Sequence, residues 1–539
     1  MGRDEATDSS DSSDHDWDGG LEGARLYLGA AGLYVALFLT GLETTIVGTT
    51  LVAITDDLQG FGKSSWIITS YLLTYAGFLM LWSKAGDIWG LRPTLLTSLA
   101  LFTAFSGGCG GAQSLSQLII CRAFQGIGAA GIYGLVLFSL IRMVPKSQYA
   151  TVTSVSGVVA SLGLLMGPLF GGAITQHGGW RWVFLLNVPA GALSWGLICF
   201  ALPSGFPIPP GTESPALGPS SFWTRQSVLV RQIDFIGAIL VLGASVFMVA
   251  ALQEGNYDFG WGSSAVITFF VLSGLSFPLF LWWQWFLSKR NSATQPILPW
   301  RLLVNRLFLG TILGSLTTGA TLTVSVVVIP QRFQVVNSSS PLGAGVKLLA
   351  FAVSVPVGMM LCSIVTGRLP VPLVYLGVAG MCLQVVGFFL YSSIPPETHL
   401  WPGQFAYLVL AGLGTGLGVA TFYLLLPLIV SIPDQSITIG TGFQLRMLGG
   451  ALGIAAATAI LHSYTRTHLA SFLPTDEVDA LSVSSQMIDT LIPEMGVRVR
   501  EVYAEAYSEQ MKLVGAFSAA QIFALGLLWK RENVRILKR

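Results

Sequence analysis

Fourteen stretches of this sequence are apolar over about the 20 residues that a helix needs to cross roughly 30 Å of hydrocarbon. They occupy residues 27–53, 65–85, 94–113, 117–141, 149–173, 182–203, 232–253, 263–287, 307–330, 342–366, 371–393, 403–431, 437–461 and 511–529. Only 10% of the residues are charged, whereas a soluble domain carries about 25%. The runs therefore predict an all-α polytopic membrane protein, because the backbone polar groups of a segment in lipid must be paired within that segment.

The positions of the basic residues predict which side of the membrane each loop faces. If the N-terminus is cytoplasmic, sixteen Lys and Arg residues lie in the inner loops and the C-terminal tail, whereas Lys63, Arg181 and Arg332 lie in the short outer loops. Because cytoplasmic loops are enriched in Lys and Arg, both termini are predicted to be inside. The segment 462–510 is then a long extracellular loop, which can form an amphipathic surface helix.

The predicted spans divide into two groups of six, separated by two inserted helices. A polar, proline-rich segment would join them on the cytoplasmic side, as in transporters built from two parallel repeats. The first 22 residues carry eight acidic residues and no apolar stretch, which excludes a signal peptide and favours disorder. The predicted divisions are an acidic tail at 1–25, a first half at 26–203, the linker at 204–231, two inserted helices at 232–287, a second half at 288–529 and a short basic tail at 530–539.

Composition also excludes several kinds of site and partner. The net charge of +1 gives no basic surface for nucleic acid. All five cysteines lie inside apolar runs, so neither a disulfide framework nor a metal site is expected. Gly62-Lys63-Ser64 resembles the end of a phosphate-binding loop, but Asp57 occupies the position that needs a glycine. No cofactor and no enzymatic activity are expected, and any active transport must draw on an ion gradient.

A glycine-rich pattern lies in the fifth apolar run. Glycines recur there at every fourth position and form a smooth face on which another helix can pack closely, and a proline interrupts the face. The residues are Gly163, Gly167, Pro168, Gly171 and Gly172. Their order resembles the antiporter signature in the fifth helix of drug:proton exporters of the major facilitator superfamily. A packing face without functional meaning is the alternative.

A short inner loop follows the second run. Its glycines permit a tight turn, and its acid and base lie at the membrane surface. The residues are Gly86, Asp87, Gly90 and Arg92. The loop resembles the hallmark loop of the same superfamily, although Ser83 and Leu91 depart from the usual pattern. The resemblance implies that Asp87 and Arg92 help to hold the two halves together on the cytoplasmic side.

The first run contains an acidic residue deep in the membrane. Its polar face consists of Thr40, Glu43, Val47 and Thr50. This pattern resembles the helix-1 motif of fourteen-span drug exporters, with Glu43 where an Asp is usual. Burial opposes ionisation of such a carboxyl and a neighbouring cation favours it, so Glu43 is a candidate for proton coupling. A carboxyl held in structural hydrogen bonds is the alternative.

The fourth run contains Arg122 and Gln125. An Arg in an apolar span costs roughly 2.5 to 3.5 kcal/mol on insertion scales, so it should face a partner or a wet cavity. The surrounding residues resemble the superfamily's helix-4 motif, whose Arg is tied to proton transfer. Helix geometry allows Arg122 to reach Glu43, and an Arg that extends to the outer surface is the alternative. The residues predicted as possible cavity lining are Thr40, Thr44, Gln125 and Arg446.

The resemblance extends over nearly the whole chain beyond residue 25. The sequence is similar to fungal fourteen-span drug:proton antiporters, a group that exports toxins and secondary metabolites. This implies a major facilitator fold arranged as 6+2+6 helices. It also implies proton-coupled export of amphipathic small organic molecules by alternating access, by a monomer in the bilayer of the plasma membrane.

Three other functions stay open at this point. The same fold could drive uptake of siderophores or amino acids, and it could lie in the vacuolar membrane. A nutrient sensor with a transporter fold usually has a long cytoplasmic tail, whereas about ten residues follow the last span here. A membrane-embedded enzyme would need histidines or paired acids within the spans, but the five histidines lie in the tail, in loops or at span ends.

Overall fold

The computed structural model describes residues 23–144, 148–203, 234–255, 260–290, 294, 296–395, 400–430, 435–483 and 485–530, with the backbone alone at some helical positions. The linker predicted at 204–231, nearly all of the acidic tail and the basic tail beyond residue 530 lie outside the described residues. Within the described part, every long element is an α-helix. The prediction of an all-α polytopic membrane protein is confirmed.

Fourteen long helices occur in the described residues, and each coincides with one of the fourteen predicted apolar runs. Thirteen meet the length and hydropathy of a membrane span. The other is α2, a 26-residue helix whose last turns contain Lys84 and Asp87. In chain order, α1 to α14 are Gly23–Asp57, Ser64–Trp89, Leu91–Gly111, Leu115–Met143, Tyr149–Gly178, Arg181–Ala201, Phe235–Glu254, Ser264–Lys289, Arg306–Val335, Pro341–Arg368, Leu373–Ser392, Gln404–Leu428, Gln435–Leu469 and Pro493–Leu528.

Two of these helices are interrupted. Helix α6 consists of Arg181–Leu185 and Asn187–Ala201. Helix α10 consists of Pro341–Ala352 and Ser354–Arg368, with a turn at Val353. In α6 the interruption places Asn187 at the start of the second part, where its side chain turns into the protein interior.

The segment 462–510 differs from the long loop that the sequence predicts. Helix α13 continues to Leu469, and α14 already begins at Pro493. Between them lie a short helix, Thr475–Val483, and a 3₁₀ turn, Ser485–Thr490. Tyr503 and Tyr507 are buried in this extension of α14 and pack it against the rest of the protein. Hydropathy misses this extension because its exposed residues are charged.

The helices pair in the same way twice along the chain. Helix α1 packs against α4, α5 and α6, just as α9 packs against α12, α13 and α14. Helix α3 packs against α4 and α6, just as α11 packs against α12 and α14. On this repetition we propose that α1 to α6 and α9 to α14 are the two halves. The inserted α7 lies against α2 and α13, one helix from each half, and α8 packs on α7.

The halves touch at the ends predicted to face outward. Helix α5 contacts Pro341–Ala352, the outer part of α10, whereas the inner part, Ser354–Arg368, packs on α12 of its own half. In α1, residues 45–52 are all buried, but a face nearer the inner end, which includes Phe38 and Thr44, is partly exposed. On the side predicted to face outward, α1 is therefore covered by its neighbours, whereas part of its surface nearer the other end is exposed.

Candidate functional site

A buried ion pair lies in the first half. Helix α1 supplies Glu43, α4 supplies Arg122, and their side chains are 0% and 1% exposed. Nη1 of Arg122 donates a hydrogen bond to Oε1 of Glu43. The two residues that the sequence singled out by their charge in apolar runs are therefore direct partners, and Arg122 does not extend to the outer surface.

The second carboxylate oxygen is also occupied. Nδ2 of Asn187, at the interruption of α6, donates to Oε2 of Glu43 at 2.6 Å. Nε of Arg122 donates to the backbone carbonyl oxygen of Ile67 in α2 at 3.1 Å. The ion pair thus connects α1 and α4 to both α2 and α6, and the carboxylate has one donor on each oxygen.

A neutral polar chain extends the pair into α3. Nη1 of Arg122 also donates to Oε1 of Gln125 at 2.5 Å, and Nε2 of Gln125 donates to the hydroxyl of Ser106 at 2.7 Å. The guanidinium carbon of Arg122 lies 4.2 Å from the ring centroid of Tyr71, within the range of a cation–π contact. Five helices of the first half therefore meet at this one cation.

The arrangement supports a specific chemical exchange. A proton and the Arg122 guanidinium compete for the same oxygen of Glu43, because a protonated carboxyl no longer offers a full negative charge to a cation. Removing either charge alone leaves the other buried without compensation, which typically costs about 3 to 5 kcal/mol. Protonation of Glu43 would therefore free Arg122 to find other partners, which requires the helices around it to move.

The glycine pattern of α5 has two faces. On one face, a Cβ at Gly163 would lie 2.7 Å from the carbonyl oxygen of Phe38, and a Cβ at Gly171 would lie 2.5 Å from the hydroxyl of Thr49, both in α1. Gly167 packs on the same helix. Across the contact, the Thr45 hydroxyl donates to the Leu164 carbonyl oxygen at 3.0 Å and the Thr49 hydroxyl to that of Pro168 at 3.3 Å.

The other face of this pattern points to the second half. A Cβ at Gly172 would lie 2.6 Å from the carbonyl oxygen of Pro341, the first residue of α10. Gly345 in α10 approaches the carbonyl group of Pro168 equally closely, with 2.5 Å from its Cβ position to the oxygen. Residues without a Cβ on both helices thus permit the outer contact between the halves.

The short inner loop lies between α2 and α3. Gly90 has a φ of 91°, a conformation that favours glycine, and it ends α2. Gly86 is still within α2, where a Cβ would lie 2.8 Å from a methyl group of Leu135. Nη2 of Arg92 donates to the carbonyl oxygen of Cys199 in α6 at 2.8 Å, so Arg92 is bound within its own half. The side chain of Asp87 lies outside the described residues.

The four possible cavity residues separate into two pairs. Thr40 is buried, with its hydroxyl bound to the carbonyl oxygen of Leu37, and Gln125 is buried in the network of Arg122. Neither lines an open space in this conformation, because helical packing covers both. Thr44 and Arg446 are partly exposed, and their place in a cavity stays a prediction.

Sequence reasoning gave no role to Asn187 or Tyr71. Both are buried polar side chains that lie against the ion pair. An amide in an apolar stretch needs a partner for the same reason that a charge does, although its cost is smaller. That signal could have marked Asn187, whereas Tyr71 resembles any interior aromatic residue.

Comparison with known proteins places this architecture among transporters. Residues 33–298 match the family description Major Facilitator Superfamily. The MFS-type transporter FPY5 of Fusarium mangiferae is 39% identical, over 95% of this chain and 84% of its own length. The rubrofusarin-specific efflux pump aurT of Gibberella zeae is 27% identical, over 92% and 88% respectively.

A solved structure shares the fold. It is a bacterial homologue of the human lysosomal transporter Spinster, in an inward-facing and occupied conformation. The TM-score is 0.64 at 14% sequence identity, and the match covers 94% of this chain and 97% of that one. At this identity the likeness concerns the fold alone.

Proposed function

We propose, from the premise that this chain belongs to the Major Facilitator Superfamily, that it exports amphipathic small organic molecules in exchange for protons. Members of the superfamily are multi-pass membrane transporters that carry small-molecule substrates, and this chain is one of them. Export, coupling to protons and the plasma membrane as its location are the proposed part.

The observation that carries proton coupling is the state of Glu43. It is a carboxylate at the centre of a membrane helix, fully buried, with a cation on one oxygen and an amide on the other. An ionisable residue inside a membrane protein is costly and marks proton or ion pathways by default. The alternative of a purely structural pair makes a different prediction for transport, given below.

The coupling would operate through alternating access. In the state described here the halves touch at the outer side, through Gly172 and Gly345. Protonation of Glu43 would release Arg122 and loosen the connection of α1 to α2, α4 and α6, which favours a rearrangement of the halves. Arg92 and Asp87 would then help to close the inner side, since opposite charges on a loop at a helix end can exchange partners as halves rock.

The energy of one proton is sufficient for this task. Entry across a potential of about 100 mV releases ~2.3 kcal/mol, and each pH unit of gradient adds roughly 1.4 kcal/mol. A driving force of about 4 to 5 kcal/mol supports a substrate gradient on the order of a thousandfold. Such a gradient protects a cell that makes or meets a toxic compound.

The direction of transport is proposed from two sources. The glycine and proline pattern of α5 resembles the signature of exporters, and one similar protein is named as a rubrofusarin-specific efflux pump. Both favour export over uptake, and self-protection places such an exporter in the plasma membrane. The vacuolar membrane would serve the same purpose and is distinguished by fluorescence microscopy of the tagged protein.

The test is proton-driven transport in proteoliposomes with an imposed pH gradient. Glu43→Gln removes the titratable group but keeps the shape, so gradient-driven transport should fall to the level of protein-free liposomes while substrate binding survives. Glu43→Asp should retain part of the transport because it can still take up a proton. Glu505→Gln is the matched control, since Glu505 is an exposed carboxyl of α14 that accepts from the Tyr464 hydroxyl at 2.7 Å.

Two results would contradict the proposal. Undiminished gradient-driven transport by Glu43→Gln would make the pair structural and would move attention to Glu254. Accumulation of substrate on the side to which the protons flow would make the protein an uptake symporter. The second result leaves the role of Glu43 intact and overturns only the direction.

A further inference from the structure

A second cation lies in the interior and has no acidic partner among the described residues. Arg446 is in α13, roughly 17 Å from its start at Gln435 at a rise of ~1.5 Å per residue. Its Nε is buried and has no hydrogen-bond partner among the described residues, although the side chain as a whole is partly exposed. The guanidinium is therefore partly accessible and makes no side-chain hydrogen bond with the part of the chain that the structure describes.

The acids of the described chain do not neutralise this cation. The carboxyl at the middle of the membrane is Glu43, and both of its oxygens are engaged by Arg122 and Asn187. The ionisable groups near Arg446 are the tyrosines Tyr75, Tyr133 and Tyr423, which are neutral at pH 7. An uncompensated cation at this depth is costly to insert into a membrane, so the position needs an explanation.

Two aromatic rings lie near the guanidinium, and a ring of the first half packs on one of them. The guanidinium carbon lies 5.7 Å from the ring centroid of Tyr423 in α12 and 6.0 Å from that of Phe443 in α13. The ring of Phe443 packs edge-on against Tyr133 of the first half, with centroids 5.0 Å apart. Tyr133, Tyr423 and Phe443 are themselves partly exposed, as Arg446 is, so part of each of these neighbouring side chains is accessible.

These groups define the chemistry of a ligand. Aromatic faces bind flat rings by offset stacking. A guanidinium binds a carboxylate through two parallel hydrogen bonds and can donate to the single oxygen of a phenolate. The Tyr423 hydroxyl is buried and has no hydrogen-bond partner in the described part of the chain, so it can add a further hydrogen bond. A neutral apolar ligand would leave the cation uncompensated.

We propose that Arg446, Tyr133, Tyr423 and Phe443 form a substrate subsite for planar aromatic anions. This inference rests on the proposed function as a small-molecule transporter and names its substrate class. Because Tyr133 belongs to one half and the other three residues to the other, the bound ring would contact both halves. Movement of the halves would then alter the subsite, as release on the far side requires.

The test compares two probes that differ in charge alone. 2-Naphthoate is an aromatic anion at pH 7, and 2-naphthamide is its neutral counterpart with the same ring system. Binding to the purified full-length protein is measured by equilibrium dialysis without any gradient. The wild-type protein should bind the anion on the order of tenfold more tightly than the amide, since charge-assisted hydrogen bonds are about twice as strong as neutral ones.

The second part of the test replaces Arg446. Arg446→Gln should remove the preference and bind both probes alike, whereas Arg446→Lys should keep part of it. Binding of 2-naphthamide by Arg446→Gln reports that the subsite is still folded. Lys347→Gln is the matched control because Lys347, partly buried near the other end of the same half, is bound to the Ser339 hydroxyl at 2.6 Å. It should keep the full preference.

Equal binding of both probes by the wild-type protein would overturn the subsite, and this result does not depend on the stability of any variant. A preference that survives in Arg446→Gln would place the anion site elsewhere. Neither result bears on proton coupling, because the assay has no gradient. Failure of the proposed exchange mechanism is seen only in the proteoliposome assay with Glu43→Gln.

Discussion

Arg122 connects several helices of the first half through its guanidinium group. Its guanidinium binds Glu43, Gln125 and the Ile67 carbonyl oxygen, and it lies over the Tyr71 ring. A buried ion pair is weak support for stability as a whole, because both charges lose their hydration. Under the proposed function, its value lies in the penalty for breaking it, which would tie the protonation of one carboxyl to the position of several helices.

The penalty for breaking this ion pair predicts that the effects of substituting its two residues on the free energy of unfolding are not additive. Arg122→Gln should lower the free energy of unfolding by about 3 to 5 kcal/mol because it leaves Glu43 buried without a cation. The double substitution Glu43→Gln with Arg122→Gln should lose clearly less, since two neutral amides can bind each other. Unfolding of the purified protein in mixed micelles with increasing denaturing detergent measures both.

Additive losses of stability would show that the two side chains do not depend on each other, contrary to the observed contact. The double variant should still lack proton-driven transport, because it has no titratable group at this position. Restored stability without restored transport is therefore the expected combination, and it separates the structural from the coupling role of the pair.

The charged residues of the site can be identified from the sequence, but the uncharged residues that bind them cannot. Glu43 and Arg122 stand out because each is a charge in an apolar run. Asn187 does not, since it follows Glu43 by 144 residues and its place depends on the interruption of α6. Thr40 and Gln125 were expected to line a cavity because they are polar, but polarity does not tell a solvated hydroxyl from one that is satisfied inside a bundle.

At the scale of helices, α5 and α13 each pack closely on the first helix of their half through glycines. The glycines of α5 let it approach the backbone of α1, and those of α13 let it approach α9, where a Cβ at Gly453 would lie 3.0 Å from Cα of Ala320. Lipid gives no hydrophobic drive between helices, so close van der Waals packing across small residues supplies much of their association. Each half therefore has one helix pair that is held by backbone contact.

This packing predicts that two glycines of the same helix respond differently to the same substitution. Gly163→Ala places a Cβ 2.7 Å from the Phe38 carbonyl oxygen, so it should destabilise the protein by about 1 to 3 kcal/mol. Gly157→Ala is the matched control, because a Cβ there meets nothing within 4 Å. It should be neutral or slightly stabilising, since alanine favours a helix.

Thermal unfolding of both variants in detergent, together with transport, measures this difference. Equal stability of Gly163→Ala and Gly157→Ala would mean that α1 and α5 are further apart than described. The spacing of the glycines, one at every fourth residue, predicts a packing face from the sequence. It does not identify the helix that packs on this face. Only the structure assigns that face to α1 and the neighbouring Gly172 to α10.

At the scale of the molecule, the sequence predicts the number and order of the helices but not how the halves are placed. Hydropathy depends on the local transfer of side chains into lipid, so each of the fourteen runs is found. Whether the outer or the inner side is closed depends on small differences between contacts such as those of Gly172 and Gly345. No local pattern encodes that balance.

A cavity and a hydrogen bond lie where α1 and α9 meet on the outer side. A cavity of about 290 Å³ lies at the outer side between α1 and α9, lined on one side by Val52 and on the other by Val335. Ile488, from the 3₁₀ turn before α14, also lines this cavity. Nε2 of Gln334 in α9 donates to the backbone carbonyl oxygen of Thr49 in α1 at 2.9 Å. An outward-open state must break this hydrogen bond and separate α5 from the start of α10.

Gly172→Ala tests this closure directly. The added Cβ would lie 2.6 Å from the Pro341 carbonyl oxygen, so it penalises the closed contact but not a state in which α5 and α10 are apart. A penalty of about 1 to 3 kcal/mol shifts such an equilibrium roughly five- to hundredfold toward the outward-open state. Val52→Cys, in a background without the native cysteines, should then react correspondingly faster with an impermeant maleimide, because opening exposes the outer part of α1.

Gly178→Ala, at the same end of α5 but 3.5 Å from the nearest Trp182 atom, should leave the rate unchanged. Equal rates in both backgrounds would mean that the contact of α5 with α10 does not hold the outer side shut.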